Sequence, residues 1–329
     1  MGLSFSAPIL AAAQWAANAQ AKDRVEIARI SSAETRRQVA VSTAAAYLAV
    51  IAQKRLVEIA LRSLDTARAQ FDDNRKRREG GVGSRLNELR AAQLVSTGET
   101  LVEMFGLGLR RSQEALGVLL GESEPIDTRG DPVFDVSSAD LTAGLAGDAM
   151  SVRPDLQLRT AEQRAAQNIL SGSSKDWWPR VKMSFDPQYL TPSGLFQPSK
   201  TWRLAFELSQ TLYNGGERAG VQLERKANSQ AADFALAQQQ IQARSEVRNA
   251  RAATQSYERA LSSARLAAEQ ANEVLKITIT AFDAGASTNI EVIEAQRTAR
   301  DVETALAQAE DSLRQAQFEL LVALGRFPK

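Results

Sequence analysis

The chain repeats itself at an offset of about 204 residues, and a unit that long confines it to architectures built from two large copies of one motif. Gly81 lies opposite Gly285, Val102 opposite Leu306, Leu109 opposite Leu313, Leu116 opposite Leu320, and Leu120-Gly121 opposite Leu324-Gly325. Upstream, the alternating segment 3–10 lies opposite 206–213, with the offset changed by about one residue. Each unit reads as a short strand feeding a long helical hairpin.

The helices follow from what is missing. Segment 11–79 contains neither proline nor glycine, and 217–284 contains only Gly220 near its start. At about 1.5 Å per residue, helices of about 65–70 residues each reach roughly 100 Å, beyond an ordinary globular domain. In the second return arm Val292, Ala295, Ala299, Val302, Leu306, Ala309, Leu313, Ala316, Leu320 and Ala323 recur at spacings of three and four, which is a coiled-coil seam. The first arm carries Val95, Gly98, Val102, Phe105, Leu109, Ser112, Leu116 and Leu119 in the same way. Between the arms stand Gly80-Gly81-Val82-Gly83 and Ala284-Gly285-Ala286-Ser287, where glycine permits the reversal and serine is expected to cap the next helix.

Composition narrows the function. The 329 residues are 44% hydrophobic with only 6% aromatic, so alanine replaces large side chains and helices pack closely. Forty basic residues against 39 acidic ones give no field that would draw nucleic acid. With no histidine and no cysteine the usual general base and the soft metal ligands are gone, and no phosphate-cradling glycine loop is present. The chain reads as no enzyme, with no cofactor and no metal. No apolar run approaches the ~20 residues of a membrane-spanning helix, the best being the alanine-rich 44–52.

Between the repeats, 122–138 holds prolines, Gly130 and carboxylates and reads as a surface connection. A helix then starts at Arg153-Pro154-Asp155. Two alternating strands follow, one with Val181, Met183 and Phe185 on a single face, the next with Trp202, Leu204, Phe206 and Leu208. Their loop, 187–200, is rich in Pro, Ser, Gly and Gln, and Trp177, Trp178, Trp202 and Tyr213 flank them as interfacial aromatics flank a bilayer. The other reading of this pair is an amphipathic hairpin covering a soluble core. The expected organisation is a first repeat over 1–121 (strand 3–10, long helix about 11–79, return helix about 84–120), a connecting segment over 122–150, and a second repeat over 151–329. That second repeat takes a helix at 153–171, strands at 180–186 and 202–213, a long helix at about 217–284 and a return helix at about 287–324. The fold class is mainly α with a minor β part.

This order of motifs resembles the TolC-type outer-membrane efflux channel family. The resemblance rests on Arg153-Pro154-Asp155-Leu156, Trp178-Pro179 entering a strand, Gln210-Thr211-Leu212-Tyr213-Asn214-Gly215-Gly216 entering the long helix, and Phe282-Asp283-Ala284-Gly285 leading to Glu291-Val292-Ile293-Glu294-Ala295-Gln296. It implies a homotrimer whose strands close one β-barrel in outer-membrane lipid while the helices form a periplasmic tube. The implied partners are a periplasmic adaptor and an inner-membrane transporter, and the implied role is passive export of small molecules or proteins.

Residue roles carry over by position. Glu291 and Glu294, one helical turn apart, match acidic residues that narrow the periplasmic entrance; Asn87 is the first-repeat equivalent of Glu291, and Phe282 matches an aromatic before the tip. Both glutamates also suit a helix N-terminus as ordinary solvated charges. Gly81, Gly83, Ser84, Gly285 and Ser287 would face an adaptor at the tips, or serve only the turns, and Trp202, Leu204, Phe206 and Leu208 would face lipid. The family has a signal sequence, a helix and a first strand ahead of the segment that starts here at Leu3, so the chain is expected to be N-terminally truncated. An adaptor, which carries one hairpin between two lipoyl-like halves, and a plain coiled-coil scaffold are the alternatives.

Overall fold

The computed structural model describes residues 3–130, 132, 153–189 and 200–327. Most of the connecting segment expected over 122–150 and most of the strand loop 187–200 lie outside these residues. In order, the elements are β1 (Phe5–Leu10), α1 (Ala12–Glu79), α2 (Arg85–Leu120), α3 (Pro154–Ser171), a 3-10 turn (Gly172–Trp177), β2 (Arg180–Tyr189), β3 (Lys200–Ser209), α4 (Glu217–Asp283) and α5 (Asn289–Ala323). Two units divide them: residues 1–35 with 150–242, and residues 36–149 with 243–329, so α1 and α4 contribute to both.

The first unit holds the sheet, antiparallel in the order β1-β2-β3. Phe5 pairs with Phe185 and Phe185 with Leu204; Ala7 pairs with Met183 and Met183 with Phe206. The register slips between Pro8 and Leu10, where proline supplies no ladder hydrogen. Helix α3 begins with Pro154 at its first turn and is fixed by polar contacts, because alanine-rich faces bury too little to do so alone. Asn168 Nδ2 donates to Asp23 Oδ2 at 3.0 Å, Gln163 Nε2 to Asp233 Oδ1 at 2.8 Å, and Gln239 Nε2 to Asp155 Oδ2 at 2.9 Å. Buried Arg153 clamps the same Asp155 carboxylate through two nitrogens at 3.0 and 2.8 Å, and Arg225 joins α4 to Asp176 at 2.6 Å.

The strand expected over 202–213 instead starts at Lys200 and stops at Ser209. Gly215 (φ 69°) and Gly216 (φ 90°) take left-handed backbone, and Arg218 Nη1 captures the Thr211 carbonyl at 2.6 Å, so 210–216 leaves the ladder as a turn. Strand β2 reaches Tyr189, three residues past the expected end, because β3 pairs with it as far as Lys200.

Among the described residues, the second unit is four helical segments around an alanine- and leucine-rich core. Val50, Leu116, Val292, Phe318 and Leu320 are fully buried, with Ala67, Ala91, Ala243 and Ala316 between them. Thr254, also buried, turns its hydroxyl to the carbonyls of Ala250 at 2.9 Å and Ala316 at 3.3 Å, which satisfies the one polar group it brings. Of the expected α5 seam, Val292, Ala295, Ala299, Ala316, Leu320 and Ala323 are buried and Val302, Leu306, Ala309 and Leu313 half-buried. In α2 the seam departs only at its end: Leu116 is buried as expected, but Leu119 is exposed and Gly117 is buried in its place. The chain after Gly121 folds back there, Ile126 N–H bonding to Gln113 O at 3.3 Å, and a Cβ on Gly117 would stand 2.6 Å from Glu124 O.

Candidate functional site

The residues expected to bear on function fall on two surfaces: one face of the sheet, and the pair of hairpin tips. Because side chains alternate along each strand and directly paired residues share a face, the register gathers Phe5, Phe185 and Leu204, then Ala7, Met183 and Phe206, then Val181 and Leu208 on one side. Phe5, Phe185, Trp202, Leu204, Phe206 and Leu208 are all exposed. The opposite face carries Ser6, Ser184, Lys182, Glu207, Arg203 and Asp186, and a cavity of about 330 Å³ opens on it beside Gln14 and Arg180. An apolar sheet face left open to solvent is unfavourable by roughly 25 cal/mol per Å² and marks a surface that meets something other than water.

The tips, within the second unit, are built alike. Helix α1 ends with Val82 N–H bonded to Arg77 O at 2.9 Å and Gly81 at φ 77°; helix α4 ends with Ala286 N–H bonded to Ala281 O at 2.8 Å and Gly285 at φ 78°. This is the Schellman closure, in which only a left-handed residue can return the last amide to the helix. Gly83 is required by space instead, since a Cβ would fall 2.6 Å from Arg78 N. Ser84 caps α2, accepting from Leu86 N–H at 3.1 Å. In the second tip the cap is Thr288, not the expected Ser287: Thr288 Oγ1 accepts from Glu291 N–H at 3.4 Å while Glu291 Oε2 accepts from Thr288 N–H at 3.0 Å. Thr288 is the residue 204 positions beyond Ser84, so the repeat itself identifies the cap.

The expected entrance residues gather at these tips with distinct surroundings. Glu291 is exposed, but its carboxylate is engaged by the Ser287 hydroxyl and the Thr288 amide, which hold it below its ordinary range. Glu294 is exposed one turn on, 3.9 Å from Arg297. Asn87 occupies in α2 the third helical position that Glu291 occupies in α5. Phe282 is half-buried under the Arg77 guanidinium, 4.7 Å from its ring centre, and Arg77 also pairs with Asp283 at 3.0 Å. The two tips therefore touch, through α1 and α4.

Residue patterns alone did not single out what lies above that contact. Buried Asn289 accepts from Gln70 Nε2 at 3.0 Å and from buried Asn74 Nδ2 at 3.3 Å. Further along, Arg62 pairs with Glu303 at 2.8 Å, and Arg55 with Glu310 and Asp311 at 3.4 Å each. Partner numbers on α5 fall as those on α1 rise, so the two helices run antiparallel along a polar seam. The signal in the sequence was present but faint: Arg55 and Arg62 are seven apart, as are Glu303 and Glu310.

A family model described as outer membrane efflux protein matches residues 145–326, more than half of the chain. The chain belongs to the outer membrane efflux protein family. Among family relatives, Nodulation protein T of Rhizobium leguminosarum bv. viciae is 25% identical over 277 residues, covering 82% of this chain and 57% of the relative. The probable efflux pump outer membrane protein TtgC of Pseudomonas putida is 24% identical over 305 residues, covering 90% of this chain and 63% of the relative. The chain thus spans about three fifths of the length of the curated relatives it matches. The fold is that of the Campylobacter jejuni CmeC outer membrane channel, with a TM-score of 0.88 at 16% identity over 99% of this chain and 71% of that one.

Proposed function

We propose that the chain is a subunit of a passive outer-membrane export channel, acting with an inner-membrane pump and a periplasmic adaptor and performing no catalysis of its own. The observation that carries this reading is the sheet, whose exposed apolar face backs onto a polar one. A bilayer is the solvent that suits such a ribbon, provided strands from other copies close it, since β1 and β3 otherwise leave unpaired edges that lipid cannot satisfy. A homotrimer supplies that closure, with the helices continuing as a periplasmic conduit.

In this reading Trp202, Leu204, Phe206 and Leu208 meet lipid. Gly81, Gly83, Ser84, Gly285 and Ser287 form small, polar tips against which an adaptor hairpin docks, and Glu291 and Glu294, with Asn87 and Phe282, line the periplasmic entrance. The exported cargo is small molecules or proteins. The test is direct: the protein is expressed in a Gram-negative envelope, fractionated, and the detergent extract placed in planar bilayers. Recovery in the outer membrane with discrete conductance steps supports the proposal. A soluble protein without conductance overturns it in favour of a coiled-coil scaffold.

A further inference from the structure

Along the α1–α5 seam, the four helices of the second unit line a cavity of about 210 Å³. Leu94 of α2 and Leu275 of α4 form part of its wall, while Arg62 comes from α1 and Gln296, Arg297 and Arg300 from α5. Three guanidiniums therefore share the space with one carboxylate, that of Glu303. Arg62 gives Glu303 one nitrogen at 2.8 Å, and Arg300 gives two to the exposed Asp301 that follows it. Arg297 has a carboxylate only at 3.9 Å, on Glu294, beyond hydrogen-bond reach. A guanidinium carries five N–H groups, so each of the three keeps donors beyond those the carboxylates take. The Gln296 carbonyl oxygen is the opposite case, a buried acceptor on the cavity wall with no donor to it. An acceptor left so is unfavourable until something donates to it. The repeat shows that this set is no by-product of the motif. The mates of Gln296, Arg297 and Arg300 are Ala92, Gln93 and Ser96, and the mate of Arg62 is Leu266; the carboxylate alone is kept, Glu303 having Glu99 as its mate.

We propose that this cavity binds a small oxyanion that carries a hydrogen atom, namely inorganic phosphate. Arg62, Arg297 and Arg300 hold its charged oxygens from two helices, and its remaining O–H donates to Gln296 Oε1. Donors from guanidiniums to an oxyanion are the stronger kind of hydrogen bond, and the apolar wall of Leu94 and Leu275 keeps the local dielectric low around them. At about 210 Å³ the cavity is smaller than the roughly 300–1,000 Å³ of pockets that take drug-sized ligands, so it suits the free ion better than the end of a larger molecule. Sulfate has nearly the same size and charge but at neutral pH no hydrogen to give. It would leave the Gln296 oxygen unpartnered, and a site built around one hydrogen bond rejects the analogue that lacks it.

The full chain, purified in detergent, is titrated calorimetrically with phosphate and with sulfate at neutral pH and matched ionic strength. One phosphate per chain is expected to bind, and sulfate about ten-fold more weakly or worse. R297Q and R300Q are each expected to weaken phosphate by about ten-fold or more, since each removes a charge-assisted hydrogen bond. Gln296→Leu removes the acceptor that phosphate alone satisfies and is expected to narrow the gap between the two anions. R265Q, on α4 and outside the cavity, removes the same charge and is expected to bind phosphate as the parent does. Glycerol 3-phosphate presents the same group on a larger body and is expected to bind more weakly; tighter binding than the free ion overturns the assignment to inorganic phosphate. No phosphate binding by the parent, equal affinity for phosphate and sulfate, a phosphate preference that survives Gln296→Leu, or equal weakening by R265Q overturns the site. Where a variant fails to fold, the comparison of the two anions on the parent decides. None of these outcomes touches the channel reading.

Discussion

At the scale of single residues, the second tip shows how a charge that suits a channel entrance is also committed to a helix end. Glu291 sits three residues past Thr288 and closes a reciprocal capping box, so the carboxylate that could face a pore also satisfies an amide of its own helix. Thr288→Ala removes the acceptor for the Glu291 amide and is expected to cost about 1 kcal/mol, read as a lowered thermal midpoint. Ser287→Ala leaves the capping box intact and is expected to lower that midpoint less. The pH dependence has a fixed sign. The Ser287 hydroxyl and then the Thr288 amide depress the Glu291 pKa, so its contribution is present above the unfolded value and is lost as pH falls through the lower folded one. The thermal midpoint of the parent is therefore expected to exceed that of Glu291→Gln at neutral pH, with the gap closing in acid; a gap that is constant with pH would show the ionised form to be irrelevant to the cap.

At the scale of elements, the three strands divide chemistry between two faces, and that division predicts unequal tolerance of a positive charge. Phe206 lies on the apolar face beside Met183, and Ser209 on the polar face beside Arg180. A cation on the lipid side of a barrel near mid-membrane costs about 2–4 kcal/mol, so Phe206→Arg is expected to reduce assembled protein in the outer membrane far more than Ser209→Arg. Quantifying heat-resistant oligomer for the two variants decides it, and equal yields would favour a sheet covered by soluble protein. The helices make the complementary point. Their seams are small because neighbours approach closely: Gly98 sits where a Cβ would come within 3.1 Å of Leu64 Cδ1. Specificity of pairing then passes to polar groups, Asn289 with Gln70 and Asn74, and arginines against carboxylates.

At the scale of the whole molecule, the proposed entrance rests on residues that one chain supplies once and the proposed trimer would supply three times. Like charges gathered around a threefold axis draw cations, so Glu291→Gln with Glu294→Gln is expected to weaken cation selectivity in planar bilayers and reduce block by multivalent cations. Glutamine at the third helical position still accepts from the capping amide, which separates the charge effect from loss of the helix end. Reversal potentials across a salt gradient measure it, and an unchanged value would make both residues ordinary surface charges. Photocrosslinkers at Ser84 and Ser287 are expected to capture a periplasmic adaptor in cells, and capture only from the strand-bearing unit would refute docking at the tips.

Composition and spacing along the chain specify the elements and their kind. A glycine-free, proline-free run of this length has no alternative to helix, a repeat at constant offset carries each turn and cap into its copy, and strict alternation over 202–208 leaves one apolar face. Local rules also act over a few residues, which is why both tips were legible and why the cap missed at Ser287 was recoverable one position on, at the mate of Ser84. Which helices meet is settled by long-range packing. That choice rests on pairs such as Arg62 with Glu303 and Gln70 with Asn289, groups more than 200 residues apart in the chain whose chemistry is indistinguishable, in sequence, from that of solvated surface residues. It likewise decided where β3 ends, because strand length is set by the partner that offers hydrogen bonds and by the Arg218 side chain that takes Thr211 out of the ladder. Periodicity specifies a face, but only folding determines what that face touches.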